Sequence, residues 1–88
     1  MKSKYLFEMM ELDGEIVAVP VGEGASELHA VLNVNEEAMR ILEMLQEDTT
    51  EEDIVTQILK EYEGEKAEIT AIVSGFISQL RKEGLLEE

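Results

Sequence analysis

Apolar and polar residues along this chain follow two rhythms, a two-residue alternation in the first third and a helical repeat after it. Residues 5–12 (YLFEMMEL) place Tyr5, Phe7 and Met9 on one face, the pattern of a strand with one side buried. Residues 15–21 (EIVAVPV) are apolar and rich in β-branched side chains, and Asp13-Gly14 stands between the two runs. An Asp-Gly pair in that position predicts a hairpin, because a type I′ turn needs φ > 0 at both central residues. Pro20 has no N–H to give to a ladder, so the second strand is predicted over 15–20, with pairing stopping or meeting an edge at the proline. A third strand is predicted over 28–34, where Leu28, Ala30, Leu32 and Val34 alternate with His29, Val31 and Asn33.

This third strand runs straight into the first helix. Asn35 offers an N-cap, and Glu36 and Glu37 fall in the first turn, where the helix dipole favours negative charge. Ala38, Met39, Ile41, Leu42 and Leu45 give a broad apolar face, predicting a helix over 36–46. Thr50-Glu51-Glu52-Asp53 resembles a capping box with Asp in the usual Glu or Gln position. Ile54, Val55, Ile58, Leu59 and Tyr62 then share one stripe of a helix over 51–62 that Gly64 is expected to end. The third helix is predicted over 66–82 from Ile69, Ile72, Val73, Phe76, Ile77 and Leu80. Arg81 and Lys82 suit its last turn, and Gly84 sits where a C-terminal cap belongs. Leu85 and Leu86 can fold back onto the core. Leu42, Ile58 and Phe76 are expected inside it.

These elements make one α+β domain over residues 1–88, with a three-stranded antiparallel sheet (the N-terminal hairpin plus a third strand) packed on three helices. Eighty-eight residues bury roughly 60–65% of the unfolded surface, enough for a small core. No apolar run approaches the ~20 residues of a membrane span. With no cysteine there is neither a disulfide framework nor a thiolate metal site, which suits the cytoplasm.

Charge changes the picture most. Twenty-one acidic residues against seven basic give a net charge of −14. Such a surface repels phosphate backbones, so nucleic acid is not an expected partner. It favours solubility and steers toward basic partner surfaces.

Catalytic chemistry is hard to find. The single histidine, His29, lies on the outward face of the third strand, and a zinc site would need three carboxylates beside it. Ser26, Ser74 and Ser78 lie in no nucleophile motif. The paired glutamates sit in first turns or at a terminus, and the GxG at Gly22–Gly24 precedes no helix N-terminus that could bind phosphate. No enzyme activity, metal or cofactor is expected. One face of the third helix stands out: Ala71, Ser74, Gly75 and Ser78 share a small, uncharged stripe. A mid-helix Gly costs about 0.8–1.0 kcal/mol relative to Ala, so this stripe is a candidate face for close approach by a partner or a second copy.

The residues in this order resemble the PqqD-like family, small peptide chaperones and recognition elements for ribosomally synthesised, post-translationally modified peptides. The family's V-P-x-G is similar to Val19-Pro20-Val21-Gly22, and its L-N-E-x-A/G to Val34-Asn35-Glu36-Glu37-Ala38, with Val for Leu. Its first-helix I-W/L-x-L-L resembles Ile41-Leu42-Glu43-Met44-Leu45. The second-helix motif T-x-E-E-I…L-x-x-x-Y resembles Thr50 to Ile54 with Leu59 and Tyr62. Its ending resembles Val73, Phe76, Ile77, Leu80, Gly84, Leu85 and Leu86. Ile72 stands where the family frequently has Asp, and Leu42 where it has an aromatic residue.

The resemblance implies a winged-helix-like fold. It also implies a binding module that captures the leader segment of a precursor peptide and presents it to a modifying enzyme, often a radical S-adenosylmethionine enzyme. The implied mode is strand addition to the free edge of the third strand, with apolar side chains entering a cleft against the third helix. The residues implied are Leu28, His29, Ala30, Val31, Leu32 and Asn33 on the strand, and Ile69, Ile72, Val73 and Phe76 on the helix. The third strand carries no Pro or Lys to block pairing. A structural or dimerisation module using the small-residue stripe is the alternative, leaving the chain monomeric or homodimeric. A winged-helix DNA-binding regulator is a further rival, but residues 51–62 are acidic where a recognition helix is basic.

Overall fold

Asp13 and Gly14 turn the chain back with φ of 52° and 81°, both positive as a type I′ turn requires. The computed structural model describes residues 1–22 and 31–88. Its elements in order are β1 (Lys2–Ser3), β2 (Leu6–Leu12), β3 (Glu15–Val21), β4 (Leu32–Val34), α1 (Glu36–Met44), α2 (Glu51–Glu61), α3 (Lys66–Lys82) and β5 (Leu86–Glu87). β2, β3 and β4 form the expected antiparallel sheet in that order, which puts β4 on an edge. This is the α+β order that the patterning predicted and the winged-helix-like arrangement that the resemblance implied.

Register explains which face is buried. Met9 lies opposite Ala18, and Ala18 in turn opposite Leu32; Ile16 lies opposite Val34. These residues and Phe7 turn toward the helices, whereas Leu6, Met10, Leu12 and Val31 on the alternate positions are exposed. Pairing does not stop at Pro20: β3 continues to Val21, and the ladder to β2 runs through Glu8–Val19 and Leu6–Val21 on both sides of the Phe7–Pro20 pair. The third strand is present as β4 over its last three residues, with Val31 just before it. Leu28, His29 and Ala30 lie outside the described residues.

Local signals set the helix ends. Asn35 Oδ1 accepts from the Ala38 N–H at 2.8 Å, and Thr50 Oγ1 accepts from the Asp53 N–H at 3.1 Å. At the end of α3 the Leu85 N–H donates to the Leu80 carbonyl (2.9 Å) and the Gly84 N–H to that of Arg81 (3.1 Å), with Gly84 at φ 73°. This is a Schellman cap, and it turns Leu85 inward, where it is buried. Gly64 does not end α2 as expected. The helix closes earlier, where Tyr62 adopts extended backbone (φ −128°, ψ 149°). A Cβ on Gly64 would stand 3.3 Å from Ile69 Cδ1, so the residue is small because α3 packs over it. α1 likewise ends two residues early, at Met44, and its last turn loosens through Leu45.

The core joins Phe7 and Ala18 of the sheet to Ile41, Leu42 and Leu45, Ile54, Val55 and Ile58, and Ile69, Val73, Ile77 and Leu80, closed by Leu85. Leu42 and Ile58 are buried as expected. Phe76 is a correction: it is half-buried, packed against the core from outside, because α3 turns Val73, Ile77 and Leu80 inward and leaves Phe76 at the margin.

The pattern gave no sign of β1 and β5. They pair with each other, Lys2 opposite Glu87 and Ser3 opposite Leu86. The Ser3 N–H also donates to the Leu45 carbonyl at 2.7 Å, the Lys4 N–H to that of Leu85 at 2.8 Å, and the Thr49 N–H to that of Met1 at 2.8 Å. Residues 1–4 therefore strap the end of α1 to the tail that follows α3.

Candidate functional site

A groove of about 200 Å³ runs between β4 and α3. Leu32, Asn33 and Val34 form one wall, Asn35 and Ala38 close it where α1 begins, and Phe76, Gln79, Leu80 and Glu83 form the other wall. Each part is there for a local reason. The Asn35 cap starts α1 immediately after β4, so the chain leaves the sheet without covering β4's outer edge. Among the described residues no strand pairs with that edge. An unpaired edge offers N–H and C=O groups to an extended chain, and the groove beside it offers apolar surface at half-buried Leu32 and Phe76, with buried Leu80 at its floor.

The α3 residues lining the groove lie three, four and seven positions after Phe76, so they share one helical stripe with it. The helix positions implied by the resemblance belong to the same stripe one or two turns earlier. Of these, Phe76 lines the groove and Ile72 is exposed one turn before it. Ile69 and Val73 are corrections: at 5% and 0% exposure they are core residues and offer no surface to a ligand. On the strand side Leu32 and Asn33 line the groove and Val31 is exposed beside it. Gln79, Leu80 and Glu83 were missed. The stripe could have suggested them, but which half of α3 meets β4 depends on how the two elements cross.

A second hollow, about 500 Å³, lies past the end of the sheet among Gly14, Glu15, Ile16 and Asn33 to Glu36. It is larger but sits at the strand ends, not along the free edge. It shares Asn33, Val34 and Asn35 with the groove, and its charged residues are Glu15 and Glu36. The groove itself has one charged lining residue, Glu83. Neighbouring Arg81 is engaged elsewhere: its guanidinium donates to Glu88 Oε1 and Oε2 at 2.7 and 3.0 Å, which holds the Glu88 carboxyl below its usual pKa. The site therefore mixes apolar side chains with the amides of Asn33, Asn35 and Gln79 and is weakly acidic.

Ala71, Ser74, Gly75 and Ser78 are all exposed, and nothing stands within 4 Å of where a Gly75 Cβ would be. Among the described residues no group of three or more His, Cys, Asp or Glu side chains is placed to hold a metal, and no helix is long and apolar enough to cross a membrane.

Comparison with known proteins gives the groove a context. Among curated proteins none matches the chain. A solved structure described as TbiB1 in complex with the TbiA(beta) leader peptide superposes with a TM-score of 0.69. It is 24% identical, over 99% of this chain and 95% of that one, a likeness of fold. The family of coenzyme PQQ synthesis protein D (PqqD) matches residues 11–86. That span takes in the hairpin turn, β4 with its free edge and all three helices, and on it the chain belongs to the PqqD family.

Proposed function

We propose that this chain is a peptide-recognition module, which captures the leader segment of a ribosomally made precursor peptide and presents it to a modifying enzyme. The observation that carries the proposal is the free edge of β4 with a groove directly beside it, in which half-buried Leu32 and Phe76 stand among polar side chains. An extended leader adds as a fourth strand, with backbone hydrogen bonds supplying affinity and alternate side chains entering the groove to supply selectivity. Family membership supports this mode, and so does the likeness to TbiB1, whose solved structure holds a leader peptide.

The residues proposed to meet the peptide are Leu32 and Asn33 of β4 with Leu28 to Val31 before them in the chain, and Phe76 and Ile72 on α3, joined by Gln79 and Glu83. The modifying enzyme is proposed to be of the radical S-adenosylmethionine class. The chain's own part is to bind and orient, with no catalytic residue.

Titration of the isotope-labelled protein with its cognate leader tests the proposal. Amide shift changes are expected in residues 31–38 and 72–83. Ile72→Glu should weaken binding at least several-fold while leaving stability within about 0.5 kcal/mol, since Ile72 is a surface residue. Phe76→Ala should weaken binding too and cost roughly 2 kcal/mol of stability, about half the penalty for a fully buried Phe. A leader that binds yet perturbs only α2 would overturn the proposal.

A further inference from the structure

The helices cover one face of the sheet, and among the described residues nothing packs on the other. Leu6, Met10 and Leu12 of β2 are exposed there by 58%, 43% and 54%, and Val31 by 61%. Register sets Met10 opposite Val17 on the same face, and Val19 lies two residues along β3 from it. β2 and β3, seven residues each, run roughly 23 Å, and with the three-residue β4 the face is roughly 10 Å across, an area of at most about 230 Å². Apolar patches of a few hundred Å² on a monomer are often functional.

The charges carried by β2, β3 and their turn have one sign. Residues 6–21 carry Glu8, Glu11, Asp13 and Glu15 and no Lys, Arg or His, and Glu8 lies within the face, opposite Val19. A second copy is a poor occupant. It would bring another −14 of charge and set these carboxylates against their own counterparts. The patch also falls short of the roughly 800 Å² per partner that a stable complex buries, so an occupant must engage the acidic rim as well.

We infer that the outer face of the β2–β3–β4 sheet docks a second protein through an apolar surface ringed by Lys and Arg. This surface is separate from the peptide groove and does not depend on it. The two are nonetheless continuous at β4: a strand added to its free edge would widen the sheet, and every second side chain of that strand would join the docking face. A partner docked there would then touch both this protein and the peptide it carries.

Two synthetic 18-residue helical peptides of equal positive charge test the inference, one with a Leu stripe flanked by Lys and one with Ser replacing Leu. With the labelled protein, the Leu/Lys peptide is expected to shift amides in residues 6–12 and 15–21. The Ser/Lys peptide is expected to give weak changes spread over the acidic surface. A Met10→Ser, Val19→Ser double variant should bind the Leu/Lys peptide at least tenfold more weakly; if it fails to fold, the comparison of the two peptides on the unaltered protein decides. Leu/Lys shifts centred on residues 51–53, or on the groove residues 32–38 and 76–83, would overturn the inference. So would equal binding by the folded variant. Sedimentation showing a dimer that the variant loses would assign the face to a second copy and overturn it as well. Leader titration reports on the groove alone, so failure of either proposal is visible without the other.

Discussion

Arg40 and Glu61 show how a single pair can tie two helices without building a buried charge. The guanidinium of Arg40 in α1 donates from Nε to Glu61 Oε1 at 2.7 Å and from Nη2 to Oε2 at 2.9 Å, and Gln57 Nε2 adds a third bond at 2.7 Å. These hydrogen bonds, that of Arg40 first, hold the Glu61 carboxyl at a pKa of about 2, below its ordinary 4.5. A carboxyl with a depressed folded pKa contributes stability that is fully present above its unfolded pKa and is lost as pH falls through the folded value. Wild type should therefore exceed Arg40→Gln in urea midpoint at pH 7, and the gap should close between pH 4.5 and 2. Solvent screens this exposed pair, so the gap should be small. Carboxyl-carbon resonances should show the Glu61 midpoint moving up in the variant, with the Gln57 hydrogen bond still holding it below its ordinary value. An unshifted Glu61 would mean the pair does not form in solution.

At the scale of elements, the middle of α3 and the cap that follows it ask different things of glycine. Gly75 sits mid-helix with open space around its Cα, and Gly84 has equal space but a φ of 73° in the C-terminal cap. Gly75→Ala should stabilise by about 1 kcal/mol, since alanine removes backbone freedom from the unfolded chain and meets no neighbour. Gly84→Ala should destabilise by about 1 kcal/mol, because an L-residue is strained in the left-handed region. Thermal melts of the two variants should move in opposite directions. If Gly75→Ala is more stable yet impaired in the cell, the small-residue stripe has a partner.

The same elements show what sequence could and could not say. The helices were legible because Ile54, Val55, Ile58 and their like repeat over several turns, and the hairpin because Asp13-Gly14 has few other uses. β1 and β5 were not, since two residues such as Lys2-Ser3 carry no period, and their pairing joins Lys2 to Glu87 and Ser3 to Leu86, at opposite ends of the sequence. The candidate site was half legible. β4 and its cap lie in consecutive residues, but the α3 wall depends on helix placement, which put Ile69 and Val73 under the groove and Gln79 and Glu83 beside it.

For the molecule as a whole, 21 carboxylates on 88 residues make self-repulsion a standing cost. The few ion pairs among the described residues use Arg40, Arg81, Lys2 and the Met1 ammonium, and they leave the acidic excess largely unanswered. Salt at 0.5 M shrinks the screening length well below its value at 0.02 M, weakening repulsion between separated carboxylates more than attraction within close pairs. The urea midpoint should rise across that range. A fall would mean that the close pairs outweigh the repulsion.

The pairing of β1 with β5 also bears on how the protein would respond to mechanical load. Lys2 lies opposite Glu87 at the outer end of an antiparallel ladder, and Ser3 opposite Leu86 behind it. Tension applied at residues 1 and 88 meets these pairs one at a time, as in a zipper, and not all together as in shear. The two-residue ladder should therefore part at low force. Residues 1–4 and the tail after Gly84 would then peel away while β2, β3, β4 and the three helices still hold. A pull on both ends would exhaust its slack in the strap before it reached the edge of β4.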